Sequence, residues 1–128
     1  MNCKRDFTAD RHVILIVEDD RDIREGLASV LSEEGFPVVT AANGLEAIDR
    51  LRTIAASLIL LDLMMPVMSG WEFREAQRRD PALSRIPVVV ITGDNDAKRK
   101  AELLGAAGYV SKPFDLDDVL TCVKRFSA

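Results

Sequence analysis

Ser57-Leu58-Ile59-Leu60-Leu61-Asp62-Leu63-Met64-Met65-Pro66 is the stretch whose reading decides the fold of this chain. Leu58–Leu61, with Ser57 leading in, is an apolar run of strand length without alternation, the pattern of a strand buried on both faces of a parallel sheet. Asp62 follows at its carboxyl end, and Pro66 with Ser69-Gly70 signals a turn soon after. An Asp in that position projects into the loop crevice where open α/β sheets hold ligands. A lone Asp there would merely end the strand and cap a turn. Asp62 has company, because the other apolar runs also end in polar residues that suit one site.

Upstream, Val13–Val17 is an apolar strand candidate that runs straight into Glu18-Asp19-Asp20, three acids whose mutual repulsion calls for a cation or cationic side chains. Ile23, Leu27, Val30 and Leu31 then recur at helical spacing, with Gly35 placed to close the helix. Phe36–Thr40 reads as a second strand, and Asn43-Gly44-Leu45-Glu46 as a capping box opening a helix that buries Ala47, Ile48, Leu51 and Ile54. Downstream, Ser69-Gly70-Trp71-Glu72 is another capping box, its helix reaching about Arg79 before Asp80-Pro81; Trp71 and Phe73 are expected to pack inside.

Ile86–Ile91 is the fourth strand and ends in Thr92-Gly93. A polar helix is expected over about Asn95–Leu104, then a short strand at Tyr109-Val110-Ser111 running into Lys112-Pro113. Asp115 caps a last helix with the apolar stripe Leu116, Val119, Leu120 and Val123. Strand and helix alternate five times, which predicts an α/β domain with a parallel sheet over residues 13–128, preceded by a flexible tail at 1–12. Right-handed crossovers place helices on both faces. Glu18, Asp19, Asp62, Thr92 and Lys112 then all fall at carboxyl ends of strands, on one edge of the sheet.

Composition bounds the function. The 128 residues are 48% hydrophobic and 30% charged, which is globular, and aromatics at 5% leave the packing to aliphatic side chains. The net charge of −4 and pI of about 5.0 provide no basic field for phosphate backbones or anionic lipid, which argues against nucleic-acid or membrane partners. Cys3 and Cys122 have no metal-ligand spacing and read as reduced thiols, and His12, the one histidine, as a surface residue. With no signal peptide and no apolar run of membrane length, a soluble cytoplasmic protein is expected.

Clustered carboxylates without histidine or cysteine make a hard-oxygen site suited to Mg²⁺ and poor for zinc. With a lysine and a hydroxyl added, the set matches phosphoryl transfer: a carboxylate nucleophile, a metal clamp, a cation and a hydrogen-bond donor. No Gly-x-x-x-x-Gly-Lys-Ser/Thr or Gly-x-Gly-x-x-Gly loop is present to hold a nucleotide, so the phosphoryl group must come from elsewhere.

From about Val13 to Phe126 the chain resembles the receiver domain of two-component response regulators. The resemblance rests on four pieces in order: Ile14-Leu15-Ile16-Val17-Glu18-Asp19, Leu61–Gly70, Val90-Ile91-Thr92-Gly93 and Gly108-Tyr109-Val110-Ser111-Lys112-Pro113-Phe114. It implies a doubly wound, flavodoxin-like (βα)5 fold with a five-stranded parallel sheet in the order 2-1-3-4-5. It implies that Asp62 accepts a phosphoryl group from a partner histidine kinase or phosphotransfer protein. Asp19 and Asp62 would bind Mg²⁺ directly, Glu18 would help through water, and the backbone carbonyl of Met64 would be the third protein ligand. Thr92 would hydrogen-bond the phosphoryl group and Lys112 pair with it. Tyr109 matches an aromatic position that swings inward as Thr92 moves, altering the 95–126 face for a downstream target or a second copy. Such a chain catalyses only its own phosphorylation and dephosphorylation. Asp20, third in the acidic run, reads as a helix-cap-region charge, because the register set by Val17 picks Glu18 and Asp19.

Other classes fit less well. A haloacid-dehalogenase-like phosphohydrolase carries a second Asp two residues after its nucleophile, where this chain has Met64. A flavodoxin-like binding module needs a phosphate-cradling loop where this chain has Glu18-Asp19-Asp20, which would repel phosphate. A receiver-like scaffold would not need an intact acidic site. Both a stand-alone receiver and a receiver within a longer regulator or hybrid histidine kinase accord with the chain.

Overall fold

The computed structural model describes residues 13–93 and 96–126. The expected tail, Cys3 and His12 lie outside the described residues. Five strands form one parallel sheet: β1 (Val13–Val17), β2 (Val38–Ala41), β3 (Ala56–Asp62), β4 (Val88–Thr92) and β5 (Gly108–Ser111). Five helices alternate with them: α1 (Arg21–Glu33), α2 (Gly44–Leu51), α3 (Gly70–Arg79), α4 (Ala97–Leu104) and α5 (Leu116–Phe126). The strand order is β2-β1-β3-β4-β5, a flavodoxin-like doubly wound arrangement that puts β3 at the centre.

Every residue of β1 and β4 is buried, as is β3 from Leu58 onward, so alternate side chains feed two separate cores. Leu15, Val17, Ile59, Leu61, Val88 and Val90 meet Ala47 and Leu51 of α2, Phe73 of α3, and Ala101 and Leu104 of α4. Ile14, Ile16, Leu58, Leu60, Val89 and Ile91 meet Leu27 and Leu31 of α1 and Val119 and Val123 of α5. Each fully buried Leu or Ile contributes about 1.5–3 kcal/mol relative to an exposed one, so the sheet is the main store of stability. None of the helices among the described residues is long and apolar enough to cross a membrane.

The caps follow the sequence closely, with one difference. Ser69 and Glu72 make the full reciprocal box, but Glu46 Oε1 accepts from Ala42 N while Asn43 caps Glu46 N, so the return bond reaches one residue further back. Gly35, at φ 95°, takes the left-handed position just past α1. β2 begins at Val38 rather than Phe36: Pro37 has no N–H to give the ladder, although its carbonyl accepts from Ile14. The expected helix start at Asn95 falls outside the described residues, and α4 is seen from Ala97. Phe73 is fully buried as expected, whereas Trp71 is not: α3 turns Gly70, Phe73, Arg74 and Gln77 inward and leaves the indole 37% exposed.

Candidate functional site

Parallel strands that end in step deliver their next residues to one edge. Val17 pairs with Leu61, Asp62 with Ile91, and Thr92 with Ser111, so the residues after β1, β3, β4 and β5 open into one cleft. That cleft, of about 490 Å³, is lined by Glu18, Asp19, Asp20, Asp62, Met64, Thr92, Gly93 and Lys112. All the sequence-predicted residues except Tyr109 thus meet in one place. Tyr109 lies on β5 in register with Val90, and the residue is 42% exposed.

The acidic corner is built by the β1–α1 turn. Asp20 caps α1, its Oδ1 accepting from Asp22 N at 2.9 Å and Ile23 N at 3.2 Å, so one of its carboxylate oxygens is committed to the helix. Asp20 N donates to Glu18 Oε2 at 3.1 Å, folding the Glu18 side chain back along its own loop. A residue that sequence reasoning missed holds this turn from outside: Arg24 Nη1 donates to the carbonyl oxygens of Glu18 at 2.9 Å and Asp19 at 3.4 Å. The available signal was a basic residue in the first turn of a helix that follows three acids.

Asp62 is held by the loop after β3. Its Oδ1 accepts from Met64 N at 3.3 Å. Behind it Gly70 N donates to Leu63 O, and a Cβ on Gly70 would come within 2.5 Å of Asp62 O and 2.7 Å of Leu63 Cα. Only glycine allows α3 to start this close to the strand end. Gly44 N donates to Met68 O, tying the same loop to the start of α2. The loop between carries Val67 at φ 69°, a left-handed conformation disfavoured for a β-branched residue.

One oxygen from each of Glu18, Asp19 and Asp62 lies within 4.8 Å of the others. Glu18 and Asp62 are buried and Asp19 is exposed. Burial pushes the Asp62 carboxyl up to about 7, and Glu18 and Asp19 add to the rise while the Lys112 charge opposes it. Burial alone would lower the Lys112 ammonium, but contact with Glu18 and the charges of Asp62 and Asp19 win, and its pKa is raised. Lys112 Nζ stands 2.8 Å from Glu18 Oε1 and 3.7 Å from Asp62 Oδ1. Among the described residues, none gives Glu18 Oε1 a well-directed hydrogen bond.

A buried all-oxygen cluster with one exposed member suits a hard divalent cation approached from solvent. Thr92, 1% exposed at the end of β4, borders the same cleft, and Lys112 N donates to its carbonyl at 2.8 Å. The cleft thus joins three carboxylates to a cation and a hydroxyl.

Comparison with known proteins agrees with this geometry. Residues 14–124 match the family model of the response regulator receiver domain. The chain is 34% identical over 113 residues to sporulation initiation phosphotransferase F of Bacillus subtilis, covering 88% of this chain and 91% of that protein. It is 38% identical over 113 residues to hybrid signal transduction histidine kinase D of Dictyostelium discoideum, covering 87% of this chain but 7% of the kinase. Against several transcriptional regulators it spans about half their length. The response regulator TrrA of Thermotoga maritima, solved in complex with Mg²⁺-BeF, superimposes with a TM-score of 0.79 at 32% identity, covering 89% of this chain and 97% of that one. The chain belongs to the response regulator receiver domain family.

Proposed function

We propose that Asp62 accepts a phosphoryl group from a phosphohistidine on a partner histidine kinase or phosphotransfer protein. The observation that carries this is the convergence on Asp62 of Glu18, Asp19 and Lys112, with Thr92 on the same cleft. An Asp62 oxygen forms the new bond to phosphorus as the phosphorus–nitrogen bond breaks, and the departing imidazole keeps its electron pair and takes a proton. Asp19 and Asp62 would hold Mg²⁺ directly, Glu18 through water, and the Met64 carbonyl would complete the protein ligands. The bound ion supplies charge neutralisation for the transferring phosphoryl group.

The chain's own residues do the rest. Lys112, now on Glu18, pairs with the phosphoryl oxygens, and the Thr92 hydroxyl turns to donate to one of them. Turning Thr92 frees space beside β5, and the exposed Tyr109 ring moves into it. The surface shared by α4, β5 and α5 then changes, and a protein target or a second copy that prefers the new surface is coupled to phosphorylation by ~1–3 kcal/mol. The catalysis is limited to the gain and loss of this one group. The acidic composition and the free thiol of Cys122 suit a cytoplasmic setting.

The test is phosphorylation by acetyl phosphate with Mg²⁺. Wild type should gain an acid-stable, base-labile acyl phosphate, and Asp62→Asn should gain none. Equal uptake by the two proteins would remove the assignment.

A further inference from the structure

Arg74 and Gln77 of α3 are buried polar residues that the site does not use: Arg74 is 8% exposed and Gln77 0%. A buried guanidinium without an acidic partner is costly unless its N–H groups are satisfied. Arg74 spends all three nitrogens. Nε donates to Leu104 O at 2.9 Å, Nη2 to Gly105 O at 3.0 Å, and Nη1 to Gln77 Oε1 at 2.7 Å. Gln77 Nε2 then donates to Leu83 O at 2.9 Å and to Ile86 O at 3.0 Å.

These bonds have a direction. Leu104 and Gly105 are the last residue and the C-cap of α4, whose terminal carbonyls lack helical partners and carry the negative end of the helix dipole. A planar cationic fork is well matched to two such oxygens. Arg78 Nη1 reaches the same Leu104 carbonyl, at 3.5 Å. Leu83 and Ile86 belong to the segment leading into β4, so one two-residue unit grips both the carboxyl end of α4 and the lead-in to β4. The opposite ends of both elements, Thr92 and the first turn of α4, lie away from the grip.

We propose that Arg74 and Gln77 form a pivot: they fix the carboxyl end of α4 to α3, so that activation swings the amino end of α4 about this point instead of shifting the whole helix. This rests on the reading that phosphorylation at Asp62 alters the α4–β5–α5 face, and it adds which end moves and what holds the other. Arg74 and Gln77 are positioning residues that act through α4 and touch neither phosphoryl group nor metal.

Residue-resolved amide exchange by NMR tests this in two arms. Without any phosphoryl mimic, Arg74→Met/Gln77→Met should exchange roughly tenfold faster in the last turn of α4 and unchanged in β1 and β3, the loss expected when about one buried hydrogen bond no longer restrains a helix end. Arg74→Lys, which keeps the charge but lacks the fork, should fall between and serves if the double variant does not fold. Exchange at wild-type rates in the last turn would overturn the clamp whatever Asp62 does. With Mg²⁺ and beryllofluoride, wild type should change over Ala97–Lys100 and not over Leu103–Gly105, while the variant should change over both. Change over Leu103–Gly105 in wild type would overturn the pivot and leave the phosphoacceptor reading standing. Change confined to the residues around Asp62 would overturn both the swing and the pivot, again without touching the phosphoacceptor assignment.

Discussion

Lys112 Nζ lies 2.8 Å from Glu18 Oε1 and 3.7 Å from Asp62 Oδ1, so the lysine is engaged by the acid beside Asp62. Glu18 is 1% exposed, and among the described residues its carboxylate is ion-paired to Lys112. Lys112→Met should therefore destabilise the metal-free protein by at least about 1–3 kcal/mol, the range for a buried acceptor left unsatisfied, which rises when the acceptor is charged. Glu18→Gln in the same background should recover part of that loss. Urea unfolding in chelator, read as a double-mutant cycle, measures both; additive effects would mean the pair is not coupled.

The raised Asp62 carboxyl sets a pH dependence. Its folded pKa of about 7 lies above the ordinary 3.8, so the folded chain holds the proton more tightly than the unfolded one. The contribution of this group is present in full below about 3.8 and is lost as pH rises through about 7. The metal-free wild type should lose stability across that window relative to Asp62→Asn, which has no carboxyl to titrate there. An unchanged difference between the two proteins from pH 4 to 8 would contradict the raised value.

On the proposed ligand set protons and Mg²⁺ would compete for the Asp62 oxygens, so Mg²⁺ affinity should fall by up to about tenfold per unit as pH drops below about 7, and level off above it. In calorimetry Asp19→Ala should abolish the binding heat. Asp20→Ala should keep most of it and instead cost about 1 kcal/mol of stability, because its carboxylate caps α1. Equal loss of heat in both variants would shift the ligand assignment by one residue.

Val67 sits 71% exposed at φ 69°, so its side chain contributes little packing and its backbone is disfavoured. Val67→Gly should stabilise the fold by roughly 1 kcal/mol, the relief of a left-handed β-branched residue less the entropy of added chain freedom. Gly70→Ala, with a Cβ driven into the backbone of Asp62 and Leu63, should do the reverse and weaken Mg²⁺ binding as well. Thermal melts and calorimetry on the two variants give the comparison.

The fold was legible because its signal is carried by apolar runs that need no tertiary context: Val13–Val17, Leu58–Leu61 and Val88–Ile91 could hardly be anything but buried strands. The strand ends were legible too, which is why five polar residues scattered from Glu18 to Lys112 were placed on one edge. What stayed hidden depends on where long side chains fold back. Arg74 and Gln77 are polar by type and buried by hydrogen bonds to carbonyls 6 to 31 residues away, and no pattern in the sequence reports that. Arg24 likewise reveals its grip on the acidic loop only once α1 is in place. Trp71 was misplaced for the opposite reason: a large apolar residue is expected inside, but helix register turned it out.

In the proposed function Asp62 itself carries the phosphoryl group. Borohydride reduces an acyl phosphate to the alcohol, which would leave homoserine in place of the phosphorylated aspartate. Phosphorylated protein should be reduced, digested and sequenced by mass spectrometry. Homoserine is expected at position 62, dependent on Mg²⁺ and absent from the unphosphorylated control. Homoserine at Asp19 or at any other acidic residue, with position 62 still aspartate, would contradict it.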